Sequence, residues 1–532
     1  MKKKLLLLMV AWLPLVAFCD QVTVNVETEG TLEEVIASQD VLKITELKII
    51  GRITAEDIIY LRQNIGKGRI ANLETLDLKD VTLVASETPY YKDSKTGEFY
   101  LSEEEIYEDE TRNSSVSGGG FWMEGRDYSY TYYYGMNLPY AFTGMPLKNV
   151  VLPLSVHKIS TCCFGTSIET VSAPGGIKEI DERAFSGCGN LVSIPSTSSV
   201  TSIGFSAFSG CNSLTNIDLS NTELIGESAF SGCSSLTTIG NLGKVSQMGK
   251  MAFMDCKALK GVIDLSGLSV VPYSAFANCE GIENLTFSDK LIEIREWAFS
   301  GCKDLTALTL PEGLVTIATS AFKDCNSLTT VTIPSTLAVI DYTSFQGTPW
   351  LENHAIDDDG MMCINNVAIR YFIDTDFVAN SVLTFKEGII GIGDGFQICW
   401  RDPAKKESIA TENIIEVKLP STLQFIGKNA FNDPYHNYGY CYYSGLKKIV
   451  FPASLKKIGA DAFYSSIESI SFAEGLEEIG PRAFVNCSKL EDLKLPSTLK
   501  RIGENAFGNC TGLSEITIPE NVENLNYPKI RR

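Results

Sequence analysis

One phrase recurs seven times from residue 180 onward: IDERAFSGCGNLVSI, IGFSAFSGCNSLTNIDL, IGESAFSGCSSLTTI, MGKMAFMDCKALKGVIDL, VPYSAFANCEGIENLTF, IREWAFSGCKDLTALTL and IATSAFKDCNSLTTVTI. Its phenylalanines, Phe185, Phe208, Phe230, Phe253, Phe276, Phe299 and Phe322, are spaced 23, 22, 23, 23, 23 and 23 residues apart. A fixed period of this length specifies a solenoid, in which each repeat is one coil stacked on its neighbours. No coil can bury its apolar face alone, so stability is a nearest-neighbour sum.

Within each repeat the letters have separate duties. The Ala-Phe pair drives a ring into the core, and a Cys three residues later turns the chain. Six residues after the Phe comes an apolar position: Leu191, Leu214, Leu236, Leu259, Ile282, Leu305 and Leu328. Three further on comes another: Ile194, Ile217, Ile239, Val262, Leu285, Leu308 and Val331. This pattern reads as one strand per coil with alternate residues inward. Proline often ends the strand, as at Pro195, Pro311, Pro334, Pro420, Pro496 and Pro519, because it supplies no further ladder donor. A second short apolar step, as in LKRIGENAF, leads to the next ring. The expected fold class is an α/β solenoid with a parallel strand sheet on one side.

Nine of the fifteen cysteines sit three residues after a repeat phenylalanine: Cys188, Cys211, Cys233, Cys256, Cys279, Cys302, Cys325, Cys487 and Cys510. Equivalent positions in adjacent coils stack about 4.8 Å apart, a distance that a disulfide could span. The run of seven is odd, however, and side chains repeated by translation point the same way. Buried, unpaired thiols are therefore expected. A linear ladder does not converge ligands on one point, so no metal is expected.

The net charge of −20 repels phosphate backbones and anionic lipid, which argues against nucleic acid as a partner. Residues 1–19 read as an export signal: Lys2, Lys3 and Lys4 precede an apolar run too short and Pro-broken to span a bilayer. Cys19 has two readings. It is the residue before cleavage, with Ala17 two before it, or the lipidated first residue of the mature chain. Phe18 is bulky where lipidation wants a small residue, which favours the first. A lipid on Cys19 would be the one membrane attachment. The mature chain is expected to be exported, at the cell surface or extracellular.

Residues 20–85 look like an α/β cap. VTVNVET and ITELKIIG alternate as strands, Thr31 and Glu34 form a capping box, and Thr54 caps a helix with Ile58, Ile59 and Leu61 inward. Residues 86–137 are an acidic and aromatic insertion holding Trp122, Tyr128, Tyr130 and Tyr132. They read as a solvated loop, or as a binding loop of stiff amphipathic side chains. Repeats run over 138–345. The segment 346–413 is an irregular insertion in which Asn365-Asn366 between two apolar runs signals a hairpin. Asp357, Asp358 and Asp359 lack the spaced carboxylates of a calcium loop and read as a turn. Repeats resume over 414–520, with a second aromatic insertion at 433–444 and a tail at 521–532.

These units resemble the BspA-type leucine-rich repeat, I-G-x-x-A-F-x-x-C-x-x-L-x-x-I-x-I-P, over about 138–520. LKIIGRITAEDIIYLRQ and FQGTPWLEN…DGMMCINNVAIRY are similar to segments of the same family. The resemblance implies a leucine-rich repeat array in an exported bacterial surface protein. It also implies adhesin-like partners: host matrix proteins such as fibronectin and fibrinogen, or other cell surfaces.

Little in the chain suggests catalysis or a cofactor. The three histidines, His157, His354 and His436, lie far apart in the sequence, and there is no nucleophile elbow, phosphate loop or zinc-protease motif. The candidate working surface is the outward face of the strands: Asn216, Asp218, Asn284, Thr286, Thr309, Thr330, Thr332, Asp492, Lys494, Glu515 and Thr517. Small polar residues make a flat hydrogen-bonding surface for a protein partner. Thr also favours exposed strands for conformational reasons alone. Trp122, Tyr128, Tyr130 and Tyr132 are candidates for a glycan or peptide instead.

Overall fold

A computed structural model describes residues 20–37, 44–66, 70–84, 141–194, 197–402, 404–405, 409–433, 441–442, 445–463 and 467–523. The export signal, Cys19, the 86–137 insertion with its four aromatic candidates, and nearly all of the 433–444 insertion lie outside these residues. The chain divides into two compact units, residues 1–200 with 210–214, and residues 201–209 with 215–532.

The first unit opens with β1 (Asp20–Val26), α1 (Leu32–Ala37), β2 (Ile44–Ile53), α2 (Ala55–Asn64) and β3 (Thr75–Leu83). Repeats follow as β4 (Asn149–Val151), β5 (Lys158–Ile159), β6 (Thr170–Ser172) and β7 (Glu179–Ile180). One parallel sheet runs β1-β2-β3-β4-β6, so the opening α/β segment supplies the first strands onto which the coils stack. Asp57 ties that segment together. Its buried carboxylate accepts the backbone N–H of Thr54 at 2.9 Å, of Leu32 at 2.9 Å and of Gly30 at 3.1 Å. The start of α1 is thus held by Asp57, the capping-box partner of Thr54, while the Thr31 hydroxyl donates to the Thr28 carbonyl. Ile58 and Leu61 are buried as expected, whereas Ile59 is half-buried.

In the second unit the inward phenylalanines form a column. Phe208, Phe230, Phe253, Phe276, Phe299, Phe322 and Phe345 stack with centroids 5.0–5.6 Å apart and planes within 12° of parallel. Phe431, Phe463, Phe484 and Phe507 form another. Rings this close offer both burial and aromatic contact.

The outward strand of each coil pairs with its neighbour in parallel, for example Lys260–Asp264 with Gly281–Thr286 and Ala307–Thr309 with Thr330–Thr332. The second apolar step is itself a ladder of short parallel strands: Val270–Val271, Glu293–Ile294, Thr316–Ile317 and Val339–Ile340.

A third ladder runs through the Ala-Phe turns. Ser274, Phe276 and Asn278 donate their N–H groups to the carbonyls of Glu296, Ala298 and Ser300 in the next coil, at 3.0, 2.8 and 2.7 Å. Two left-handed residues make this geometry. The residue two before the Phe has positive φ in coil after coil: Arg183, Ser206, Ser228, Met251, Ser274, Trp297 and Ser320. So does the residue two after it, which is Gly187, Gly210, Gly232, Asp255, Asn278, Gly301 or Asp324. Gly, Asn and Asp are the residues that adopt this conformation most cheaply.

Cysteine completes the turn. The Cys256 N–H donates to the Phe253 carbonyl of its own coil, and the Cys256 Sγ donates to the Phe230 carbonyl of the preceding coil at 3.2 Å. The same thiol bond recurs from Cys233, Cys279, Cys302 and Cys325, at 3.1–3.4 Å. A phenylalanine carbonyl has two acceptor sites, and a backbone N–H and a thiol fill them. Thirteen of the cysteines among the described residues, Cys441 aside, are free thiols.

Coils are further fastened at their Pro-Ser-Thr corners. Glu312, Glu387 and Glu474 each accept from the Ser N–H and hydroxyl of the next coil, at Ser335, Ser421 and Ser497. The Asn365-Asn366 hairpin forms as expected. Met361–Ile364 pairs antiparallel with Val367–Ile373, and both asparagines have positive φ. Beyond it, Ser381–Thr384 and Gly391–Trp400 join the two strand ladders of the later coils, so the irregular segment contains a disguised coil.

Two stability outcomes follow. Phe253→Ala, which empties a site stacked on both sides, costs about 3–5 kcal/mol by urea unfolding. Gly301→Ala costs about 1–2 kcal/mol, because it forces a side chain into left-handed backbone. Its Cβ would also approach Asn278 Oδ1 to 2.7 Å. Burial pushes the thiols of Cys188 and Cys325 up to about 12. Iodoacetamide at pH 8 should therefore spare Cys188 and Cys325 in the native chain and label most cysteines once it is denatured without reductant. A mostly blocked denatured chain would remove the free-thiol assignment.

Candidate functional site

The outward strand face of the second unit is built by alternation. Ile217, Ile263, Leu285 and Leu308 point inward and are buried, which leaves their neighbours outside. Asn216, Asp218, Asn284, Thr286, Thr309, Thr330 and Thr332 are all exposed. Register lines them up: Asn216 bridges Thr238, Thr286 pairs with Asp264, and Thr309 pairs with Thr332. Asp492, Lys494, Glu515 and Thr517 are also exposed, on segments that carry no strand.

One expectation is overturned. Val262 is not a core residue but stands 60% exposed, and Ile263 takes the inward place. The register shifts between Gly261 and Val262, and Gly261 has a φ of +86°. This bulge inserts one extra residue and flips the side chains that follow it. The sequence did carry the sign: Leu259 and Ile263 are four residues apart where other coils have three. Val262 now lies opposite Asn284, an apolar point on a polar face.

The face carries fixed negative charge. The Ser220 hydroxyl and N–H hold the Asp218 carboxyl below its usual range. Partial burial works to raise Asp264, but hydrogen bonds from Ser266, Asn241 and Thr286 hold it below. Both are carboxylates at neutral pH. Among the outward residues of the strands over 216–332, Lys260 alone is Lys or Arg, and it stands exposed at the start of its strand.

The histidines are occupied structurally. His157 Nδ1 lies 2.9 Å from the Gly176 carbonyl, and His354 Nε2 lies 3.2 Å from the Cys363 carbonyl. His436 is outside the described residues. Among the described residues no group of three or more His, Cys, Asp or Glu is placed to hold a metal.

A second acidic feature lies where the regular coils meet the irregular segment. Asp341 and Asp394 are bridged neighbours. Asp341 accepts from the Thr343 N–H at 2.7 Å and from the Thr319 hydroxyl at 3.2 Å. Asp394 accepts from the Lys428 N–H at 2.7 Å. Burial, with the Asp341 charge adding, pushes the Asp394 carboxyl up to about 6.

Parallel coils that present a flat polar face define a leucine-rich repeat protein. The chain belongs to the BspA-type leucine-rich repeat family, whose repeat region matches it in six copies over residues 138–260, 253–371 and 435–528. Among solved structures it is similar to a leucine-rich repeat protein of Bacteroides ovatus, with 22% identity over 74% of this chain and 85% of that one, TM-score 0.37. It is also similar to a leucine rich cell surface protein of Faecalibacterium prausnitzii, with 21% identity over 65% and 86%, TM-score 0.31. A leucine-rich repeat protein of T. pallidum shares 27% identity over 32% and 76%, TM-score 0.24. No curated protein matches the sequence.

The raised Asp394 sets a pH dependence. Above about pH 6 the native state carries an ionised group that it holds at a disadvantage. As pH falls from about 6 towards the unfolded value near 4, the native state takes up the proton first and this group's destabilisation is relieved. Asp394→Asn should therefore raise stability by about 1–3 kcal/mol at pH 7.5 and by much less at pH 4.5, read from unfolding at the two pH values.

Proposed function

We propose that this chain is a non-catalytic binding protein, exported and held at the cell surface or released, that recognises protein partners through its outward strand face. The observation that carries the reading is the register-aligned face over 216–332. There Asn, Thr and Asp side chains stand exposed on rigid parallel strands, and the inward letters of each repeat are committed to the core. Membership of a family built from such repeats supports it, as does the apolar leader of residues 1–19 with its lysine start. Among the described residues no helix is long and apolar enough to cross a membrane, and a lipid on Cys19 is one attachment that the sequence offers.

Such a face binds by complementarity rather than by a deep pocket, and its best anchor is the exposed Val262 with Asp264 and Asn284 around it. Immobilised fibronectin, fibrinogen and whole bacterial cells are the first partners to present to the purified chain. The double substitution Asn284→Arg/Thr309→Arg, on exposed positions, should reduce retention at least tenfold and leave the melting temperature within about 2 °C. Absence of retention on all three surfaces at micromolar protein, or equal retention of the double variant, counts against this reading.

A further inference from the structure

Three large aromatic side chains stand exposed among the described residues: Phe205 at 38%, Tyr273 at 40% and Trp297 at 38%. All three sit two or three residues before the inward phenylalanine of their coil. They therefore lie on the turn ladder, not on the strand face. The outward strand residues over 216–332 include no aromatic.

Trp297 is the telling member. It occupies a left-handed position, φ 60°, where the coils of Ser206, Ser228, Ser274 and Ser320 place serine. A bulky residue in that backbone is an outlier that folding alone does not favour. It is also partly exposed, so its apolar surface is not spent on the core. Lys323 Nζ rests 5.5 Å from the ring centroid, a cation beside an electron-rich plate. Tyr273 stands one coil away. Its carbonyl is taken by the Met251 N–H and the Trp297 N–H goes to Thr319, so ladder bonds hold both rings' backbones. Alongside run the polar residues two after each Phe: Asp255, Asn278, which donates to Asp255 at 2.8 Å, and Asp324.

We propose that this turn edge is a second binding site, centred on Trp297 and Tyr273, for a linear neutral polysaccharide. The backbone groups here are already paired between coils, so an added peptide strand has no ladder edge to join. Flat rings suit the C–H faces of sugar rings. The carboxylates, the Asn278 amide and the Lys323 ammonium suit hydroxyl groups, which both donate and accept. The net charge of −20 disfavours an anionic polymer. Coils repeat at about 5 Å, so Phe205, three coils before Tyr273, extends the edge by roughly 15 Å along a chain-like ligand.

The test is native affinity electrophoresis of the full chain in gels containing hydroxyethylcellulose, galactomannan or laminarin, with Trp297→Ser and Tyr273→Ala beside the wild type. Serine is what neighbouring coils carry, so Trp297→Ser should melt at or above the wild-type temperature. Should it melt lower, Tyr273→Ala, whose backbone is not left-handed, carries the comparison. At least one polysaccharide should retard the wild type, with each substitution weakening the apparent affinity at least fivefold. The proposal is overturned by no retardation in any gel, by undiminished retardation of both variants, or by substitutions that reduce retention on immobilised protein alone. The Asn284→Arg/Thr309→Arg variant should be retarded like the wild type, which separates this site from the strand face.

Discussion

The hydrogen bonds that join one Ala-Phe turn to the next are the constraint on which the array depends. Each coil must close a corner around a buried ring, and a corner leaves backbone groups without partners. Buried and unpaired, each would cost about 1–3 kcal/mol. The array removes that cost by turning the corner itself into a ladder: three N–H groups reach three carbonyls of the next coil, and the thiol of that next coil fills the remaining acceptor on the phenylalanine. The two left-handed residues on either side of the ring are what align these groups. Phenylalanine, cysteine and the Gly, Asn or Asp two after the ring are therefore one device rather than three preferences.

Much of this was legible in the sequence because burial repeats. A ring every 23 residues, and a leucine six after it, can only mean stacked coils, and the cysteines fell where such coils leave room for a small side chain. The Asn365-Asn366 hairpin was legible because two adjacent left-handed positions favour that pair. Other features were written but not readable alone. The choice of Gly, Asp or Asn before each cysteine is visible in SGC, MDC, ANC and KDC, yet its meaning needs the φ angles. The second strand ladder is only two residues per coil, too short for a period to show. The disguised coil around Phe385 and Phe396 hid because its cysteine is missing and its rings tilt rather than stack.

The surface was harder for a different reason. Core positions answer to one requirement, while exposed ones answer to several at once. Threonine at Thr309 or Thr330 satisfies strand propensity whether or not anything binds there, so alternation located the face without ranking its members. The departures from the repeat carry more information: Val262 pushed outward by an extra residue, and Trp297 standing where other coils use serine. Each breaks a local rule without any visible gain to the fold, and such places are where function is expected to show.

The turn ladder also gives the array a direction. In the strand ladders N–H and C=O groups alternate between neighbours, and their dipoles largely cancel. In the turns, the N–H groups that bond between coils face the following coil and the backbone carbonyls that accept them face the preceding one. From 429 to 508 the peptide dipoles in this column add head to tail, as they do along a helix. The far end is Asn505, Phe507 and Asn509, whose N–H groups find no backbone acceptor among the described residues. A stack assembled from near-identical coils is thus electrically asymmetric. Its C-terminal corner is a small positive pole on a strongly negative chain, created by backbone geometry and independent of any charged side chain.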